Sequence, residues 1–150
     1  ILERSAKILK INIDSNALDV LAQSSRYTPR IANRLLKRAR DFAQVQKQEK
    51  ITANLASQTM KMLDIDNKGL ESTDIKILRS VIDKFGGGPV GLKAIAASIA
   101  EEEETIEDVY EPYLMQIGFL ARTSRGRVAT KLAFDHLGLK PSEEYQNTLL

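Results

Sequence analysis

The chain contains 150 residues, which is enough for one domain or for two small ones. Hydrophobic residues make up 43% and charged residues 28%, as in ordinary globular proteins, and no apolar run approaches the roughly 18–20 residues that span a bilayer. The absence of cysteine excludes disulfides, thiol catalysis and cysteine-based zinc sites, and it fits a reducing compartment. The single histidine, His136, leaves no histidine pair for a metal, and we assign it a packing or capping role.

Charge is spread unevenly along the sequence, although the net charge is only +2. Residues 1–66 carry 12 Lys and Arg against 7 Asp and Glu, whereas residues 67–150 carry 10 against 13. This asymmetry indicates two units with different partners. Within the acidic half, one stretch, residues 112–134, has no carboxylate, and a polyanion is expected to bind at its four basic side chains: Arg122, Arg125, Arg127 and Lys131.

Helical patterns fill the first half of the chain. Because Ile1 already lies within the first pattern and no signal peptide is present, we expect the chain to begin partway through a larger protein. Three further helices have candidate capping residues: Asp14 or Ser15, then Thr28 with Pro29 at the first helical position, then Thr52. The polar stretch 64–69 ends in Gly69, which we expect to terminate the fourth helix, and a domain boundary is predicted there.

The second half begins with three more helical patterns. The first covers residues 72–85, with Ile75, Leu78, Ile82 and Phe85 predicted on its buried face, and the second begins near Leu92. The third is expected to start at Thr105, with Asp108 completing a weak capping box. Its inward face is predicted to hold Ile106, Val109, Tyr110, Tyr113 and Leu114. Pro112 falls inside this pattern and predicts a kink or a late restart.

A hairpin signal follows these helices. Residues 118–130 place apolar residues on either side of a polar centre, with Gly126 in the turn. Lys131 to Leu137 are predicted to form a last short helix, and the weakly patterned residues 140–150 are predicted to be frayed. Three helices and a basic hairpin are the order of a winged-helix domain, in which the hairpin is the wing. Many such domains bind DNA and many others bind proteins.

The segment KFGGGPVGLK, residues 84–93, stops just short of a phosphate-binding loop. Gly86 and Gly91 have the spacing of that motif, but Leu92 stands where its lysine is required. A phosphate loop also follows a strand, whereas this segment follows a predicted helix. We therefore interpret it as a structural turn before the second helix of the winged-helix domain, with Pro89 helping to fix the chain.

Several long strings resemble the bacterial RuvB family of Holliday-junction branch-migration motors. LRSVIDKFGGGPVGLKAIAASI, TIEDVYEPYL and the hairpin string GFL-x-RT-x-RGRVAT resemble its C-terminal head, and SSRYTPRIANRLLKRARDFAQV resembles the lid of its AAA+ ATPase module. The resemblance covers roughly residues 1–138. It implies a mainly α protein, with a four-helix lid at residues 1–66 and a winged-helix DNA-binding head at residues 67–150.

The resemblance also implies a function and a set of partners. The complete motor would use ATP/ADP with Mg²⁺, held mainly by a large domain that carries the Walker A and Walker B motifs. Those motifs are absent here, so the chain is expected to be inactive as an ATPase by itself. The implied partners are the duplex arms of Holliday-junction DNA, further copies in a homohexamer, a junction-recognising RuvA-type protein and a RuvC-type resolvase. The implied location is the bacterial cytoplasm, in association with the nucleoid.

Arg30 is the candidate for nucleotide contact. It lies at the second position of a predicted helix, whose start favours anions, and its planar guanidinium suits phosphate. In the family, the arginine of the T-P-R string looks like the sensor-2 residue that reaches the terminal phosphates of ATP, and Pro29 and Ile1 resemble neighbouring nucleotide contacts. Tyr27 departs from the family, which usually has glycine there, a residue that can supply a positive φ in the loop.

The DNA candidates are Arg122, Arg127 and Arg125. On a hairpin, Arg122 and Arg127 are expected on one side of the wing, and the resemblance assigns both to the DNA backbone, with Arg125 as a helper. From the residues alone, a basic turn that only increases solubility is as good an interpretation as a DNA contact. Glu104 replaces an arginine that the family often carries. The run EEEE, residues 101–104, is interpreted as a solvated helix approach rather than a metal site.

The main alternative is a transcription regulator with a winged helix and a helical partner-binding domain. It requires a helix that reads bases in a DNA groove. The candidate recognition helix begins with the acidic string TIEDVYE, which disfavours entry into a negatively charged groove. An autonomous enzyme has almost no support, since no paired carboxylates or nucleophile constellation stand out.

Overall fold

The computed structural model describes residues 1–143 and 145. Helices predominate among them, and the chain divides into two compact units, Ile1–Ser72 and Thr73–Leu150. None of the described helices is both long enough and apolar enough to cross a membrane.

Four helices form the first unit, as the sequence predicts: α1 Leu2–Ile8, α2 Ser15–Gln23, α3 Pro29–Val45 and α4 Ala53–Met62. Their shared core is aliphatic and includes the fully buried side chains of Leu21, Leu35 and Leu36. A short parallel bridge between Ile13 and Ile51 joins the segments before α2 and α4. Burial of these apolar faces against one another, rather than helix propensity alone, stabilises helices this short.

The predicted starts of α3 and α4 are confirmed. The Thr28 hydroxyl accepts a hydrogen bond from the Ile31 amide at 3.3 Å, and Pro29 takes the first helical position. The Thr52 hydroxyl accepts from the Leu55 amide at the same distance. Each hydroxyl satisfies an amide that has no partner within the helix, which is the physical basis of the capping preference.

Gly69 does not terminate α4, contrary to the prediction. The helix ends at Met62 with Leu63 as its C-cap, and Asp64 takes the left-handed backbone conformation, with φ of 54°. Residues after it form a loop in which an Asp66 carboxylate oxygen accepts hydrogen bonds from the amides of Lys68 and Leu70, at 2.8 and 2.9 Å. Aspartate tolerates a left-handed residue and can order a turn through its side chain, so no glycine was needed at the helix end.

The second unit contains helices, π-helical turns and one hairpin. In chain order its elements are α5 Ser72–Arg79, a π-helical turn Ser80–Lys84, α6 Leu92–Ile99, α7 Glu103–Thr105, a π-helical turn Ile106–Tyr110, α8 Glu111–Gln116, β1 Leu120–Thr123, β2 Gly126–Ala129 and α9 Lys131–Leu137. The hairpin and the last helix agree with the predicted positions. The structure is mainly α, as predicted, with a two-stranded antiparallel sheet.

The buried face of α5 and its π turn differs from the predicted stripe. Leu78 and Ile82 are buried as predicted, but Ile77 and Val81 join them, whereas Ile75 and Phe85 are only half-buried. A π turn has more residues per turn than an α-helix, so it rotates the side chains that follow relative to a regular 3.6-residue pattern.

Thr105 is not the cap of the third helix of this unit. The helix begins at Glu103 after an extended Glu102, and Thr105 lies inside it with helical angles. Pro112 causes no break, because the π turn precedes it and Pro112 itself lies in the first turn of α8. Val109, predicted to face inward, is exposed, and Glu111 is buried instead.

The tail is ordered at Tyr145, so the prediction of fraying is wrong for this residue. Its ring is buried and packs on Phe134 with ring centroids 4.9 Å apart, and its hydroxyl donates to the backbone carbonyl of Ala129. Residues 144 and 146–150 lie outside the described residues. His136 packs on Phe119 with centroids 5.0 Å apart, which confirms its packing role.

Candidate functional site

The hairpin places two arginines directly opposite each other. Residues of β1 and β2 pair antiparallel, and Arg122 is the register partner of Arg127. Directly opposed residues project from the same face of a sheet, so both guanidinium groups lie on one side of the wing, as the sequence predicts. The Thr123 hydroxyl orders the turn by donating to the Gly126 carbonyl at 2.8 Å and accepting from the Arg125 amide at 3.2 Å.

The glycine-rich segment, residues 84–93, is hydrogen-bonded to β2 of this hairpin. Val90 and Arg127 exchange both backbone hydrogen bonds, at 2.9 and 2.8 Å, and the Ala129 amide donates to the Gly87 carbonyl at 2.9 Å. A Cβ at Gly88 would stand 2.3 Å from the Arg127 carbonyl oxygen, and one at Gly126 would stand 2.5 Å from the carbonyl oxygen of Val90. Glycine is therefore required for close backbone approach, and the segment fixes the strand that carries Arg127.

Two carboxylates from the preceding helical segment meet the arginine pair. Glu111 forms a two-pronged ion pair with Arg127, whose Nε lies 3.0 Å from Oε1 and whose Nη2 lies 3.2 Å from Oε2. Arg122 donates from Nη2 to Glu107 Oε1 at 2.6 Å, and its Nε lies 3.3 Å from Glu111 Oε1. The two arginines are thus shared between two carboxylates in a four-residue cluster, which we call the wing ion-pair cluster.

Burial divides the wing ion-pair cluster into two halves. The side chains of Glu111 and Arg127 are only 3% and 13% exposed, whereas those of Glu107 and Arg122 are 48% and 51% exposed. Charge-assisted, two-pronged pairs are the strongest kind of hydrogen bond in proteins, and a buried one is costly to break. Arg127 is therefore held in place, while Arg122 remains accessible to solvent and to a ligand.

The same contacts act on the ionisation of Arg122. Its pKa is raised, first by the hydrogen bond to Glu107 and then by the negative charge of Glu111, with desolvation acting in the opposite direction. Arg122 stays charged at every physiological pH. Formal charges within the cluster sum to zero, and the exposed Arg125 at the hairpin turn forms no ion pair with any described residue.

The nucleotide candidates of the first unit lie on its surface. Ile1 is exposed, and Pro29 and Arg30 are exposed in the first turn of α3. Thr28 binds the Ile31 amide and proline has no amide, so the backbone N–H of Arg30 and its guanidinium both remain available at this helix start. Tyr27 has a left-handed φ of 56°, the conformation for which glycine is favoured.

Other kinds of site find little support in the part of the chain that the structure describes. No group of three or more His, Cys, Asp or Glu side chains is placed to hold a metal ion there, and the acidic run 101–104 shows no such cluster. Sequence reasoning missed Glu107 and Glu111 as site residues. Two carboxylates four residues apart do precede a hairpin that has basic residues and no acidic ones, but this spacing does not indicate that they pair with the hairpin arginines.

A four-helix bundle followed by a winged helix with a basic wing defines the class of the chain as an AAA+ lid joined to a winged-helix domain. The family model for the RuvB AAA lid domain matches residues 1–66, and that for the RuvB C-terminal winged helix domain matches residues 67–138. The chain belongs to the RuvB family. This family uses nucleotide, and the reading as a transcription regulator is not supported.

Curated relatives and solved structures are similar along nearly the whole chain. The Holliday junction branch migration complex subunit RuvB of Dehalococcoides mccartyi (strain CBDB1) is 54% identical over 147 residues, which are 98% of this chain and 41% of that protein. The protein of the same name from Synechocystis sp. (strain ATCC 27184 / PCC 6803 / Kazusa) is 53% identical over 141 residues, which are 94% of this chain and 39% of that protein. The chain therefore spans about two fifths of the length of these relatives.

Among solved structures, the Thermotoga maritima RuvB Holliday junction branch migration motor superposes with a TM-score of 0.88 at 47% sequence identity. The match covers 93% of this chain and 47% of that one. A mutant form of the same Thermotoga maritima protein gives the same TM-score and identity.

Proposed function

We propose that this chain is the lid and head of an ATP-driven motor that moves Holliday junctions along DNA during recombination and repair. Residues 1–66 are the lid and residues 67–150 the head. The observation that carries the proposal is the similarity of both units, in the same order, to relatives named as branch migration subunits. The complete motor is an ATPase, and this chain contains neither a Walker A nor a Walker B string.

Arg30 senses the bound nucleotide in this proposal. ATP with Mg²⁺ is held mainly by the large domain of the motor, and it supplies the free energy of phosphate hydrolysis. Support comes from the exposed position of Arg30 and from the unused backbone amide at the start of α3. Arg30 binds the terminal phosphates, with Pro29 and Ile1 as neighbouring contacts, and the lid thereby responds to nucleotide state.

The wing grips a duplex arm through its phosphates. Arg122, Arg127 and Arg125 lie on one hairpin, where they supply positive charge without any base-reading helix. Such contacts are indifferent to sequence, as movement along DNA requires. In the complete protein we propose a homohexamer that works with a RuvA-type junction-recognising partner and a RuvC-type resolvase, in the cytoplasm and in association with the nucleoid.

Duplex binding tests the role of the wing. Replacing both Arg122 and Arg127 with alanine should weaken binding to all sequences about equally, and the log–log slope against salt should flatten by up to about one unit per lost contact. Fluorescence anisotropy on several unrelated duplexes between low and moderate salt measures both effects. A double Lys76→Ala, Arg79→Ala variant removes two exposed cations from α5 and serves as the control.

Arg127→Ala also leaves Glu111 buried without its partner, so folding of the double variant must be checked by circular dichroism. The single variant Arg122→Ala removes only the exposed arginine and isolates the DNA contact. Loss of binding to one sequence alone, or equal loss in the α5 control, contradicts the proposed backbone contact.

A further inference from the structure

The two carboxylates of the wing ion-pair cluster hold their arginines in different ways. Glu111 is buried, and both its oxygens are engaged by Arg127. Glu107 is half-exposed and gives its Oε1 to Arg122 at 2.6 Å, with Arg127 at 3.7 Å from the same oxygen. The Glu107 contact is the one that solvent, and hence another anion, can reach.

A phosphate oxygen and a carboxylate oxygen make the same kind of contact with a guanidinium group. Both accept charge-assisted hydrogen bonds from its planar edge. Exchange at an exposed pair costs little, because solvent screens such pairs, whereas loss of a buried pair leaves an unpaired charge away from water and costs much more. An incoming phosphate can therefore replace Glu107 at Arg122 but cannot replace Glu111 at Arg127 at comparable cost.

We propose that Glu107 occupies the phosphate-binding edge of Arg122 in the free protein and is displaced by a DNA phosphate, while Glu111 stays in place as the positioning residue for both arginines. This inference rests on the proposed function, since it takes the wing as the DNA contact. Glu107 thereby sets how tightly the wing holds the duplex. Weak, exchangeable grip suits a head that must release and rebind along DNA.

The proposal predicts how the affinity for DNA and its dependence on salt change when Glu107 loses its charge. With Glu107 present, Arg122 exchanges one anionic partner for another, so its phosphate contact adds less to the affinity and to its salt dependence than the contact of an unpaired arginine would. With Glu107 neutralised, Arg122 meets the duplex as an uncompensated cation. The affinity should rise, and the dependence of log affinity on log salt should steepen by up to about 0.9.

The experiment compares Glu107→Gln with Asp108→Asn. Both substitutions remove one negative charge from an exposed position of the same π turn, but Asp108 makes no ion pair with any described residue. Binding of the chain to a duplex of about 25 base pairs is measured by anisotropy from low to moderate salt. Glu107→Gln should bind roughly 3–10-fold more tightly than Asp108→Asn at low salt, as one freed phosphate contact predicts.

The Arg122→Ala background separates the inference from the proposed function. There the advantage of Glu107→Gln over Asp108→Asn should disappear, because the group that Glu107 occupies is gone. If Arg122→Ala binds as well as the unsubstituted chain, or neither binds, the proposed DNA contact itself is overturned. If Arg122→Ala weakens binding but Glu107→Gln matches Asp108→Asn, the contact stands and the displacement of Glu107 is overturned.

Discussion

Glu111 is the residue on which the geometry of the wing most depends. Its carboxylate is almost fully buried and is neutralised by Arg127 through two hydrogen bonds. Glu111→Ala leaves a guanidinium that is 13% exposed without its partner. Breaking a buried pair in this way costs about 3–5 kcal/mol, so we predict a loss of that size in the free energy of unfolding.

Urea unfolding followed by circular dichroism measures this loss. The matched control is Glu107→Ala, which removes the half-exposed carboxylate of the same cluster and should cost less than about 1 kcal/mol. Equal effects of the two substitutions would show that burial does not distinguish the two carboxylates.

Tyr145 gives the second unit a dependence on alkaline pH. Burial raises the pKa of its hydroxyl, which donates to the Ala129 carbonyl. Above the unfolded-state value of about 10, the unfolded chain loses this proton while the folded chain keeps it, so stability is complete below that pH and falls as the pH rises through the folded-state pKa.

We therefore predict that the unsubstituted chain loses stability above pH 10 faster than Tyr145→Phe does. At neutral pH the phenylalanine variant should be less stable by about 1 kcal/mol, the net value of one hydrogen bond. Thermal melts from pH 8 to pH 11 should show the two curves approaching each other. Parallel curves across this range would argue against the hydroxyl as the titrating group.

The glycine-rich segment and β2 form the element that carries Arg127. Gly88 has a φ of 93° and no space for a Cβ, so Gly88→Ala combines backbone strain with a clash against the Arg127 carbonyl. We predict a loss of at least about 1–3 kcal/mol in unfolding free energy, together with weaker duplex binding. Gly91→Ala is the control, because open space surrounds that position and only a helix-capping cost below about 1 kcal/mol is expected.

Hydrogen exchange at the Val90 and Arg127 amides shows whether the damage is local. Both amides should lose protection in Gly88→Ala and keep it in Gly91→Ala, since their mutual bonds form the rung beside Gly88. Retained protection in both variants would mean that the segment does not support the wing.

Local chemistry explains which elements the sequence could predict. The caps at Thr28 and Thr52 and the two-residue hairpin turn depend on residues within four positions of one another, and they are found where the pattern indicates. The cap at Thr105 failed because the helix could begin earlier, at Glu103, without a side-chain cap. Local patterns do not specify which of two neighbouring start positions is favoured by the packing of the helix.

Local patterns could not identify the carboxylates that pair with the wing arginines, for a different reason. A π turn precedes Glu111 and changes the direction in which the later side chains point, so a regular helical period placed Val109 on the inward face and did not include Glu111 there. Pairing Glu111 with Arg127 also requires the hairpin register and its contact with the helix, which are tertiary features. The arginines were recognisable as a charge pattern, but their counterions were not.

At the scale of the whole molecule, the two units have different chemistry. The first presents a cation at an exposed helix start, and the second presents cations on a hairpin, where Glu107 and Glu111 of the preceding helical segment partly neutralise them. In the proposed motor, phosphates of two kinds are therefore bound by separate arginines: those of the nucleotide by Arg30 and those of DNA by the arginines of the wing. Substitutions in the two units should affect different steps.

Arg30→Ala in the complete protein tests this separation. We predict that ATP turnover falls at least about 10-fold, because a guanidinium that binds phosphate in two-pronged fashion contributes about 1.5–3 kcal/mol that alanine cannot replace. Duplex binding at fixed salt should be unchanged, since the wing residues are untouched. Arg38→Ala, two turns further along α3 and exposed, removes the same charge from the same helix and should leave turnover near normal. Steady-state phosphate release, measured beside anisotropy on the same preparations, distinguishes these outcomes. Unchanged turnover in Arg30→Ala would remove the sensor role, whereas equal loss in Arg38→Ala would reduce it to a general effect of charge.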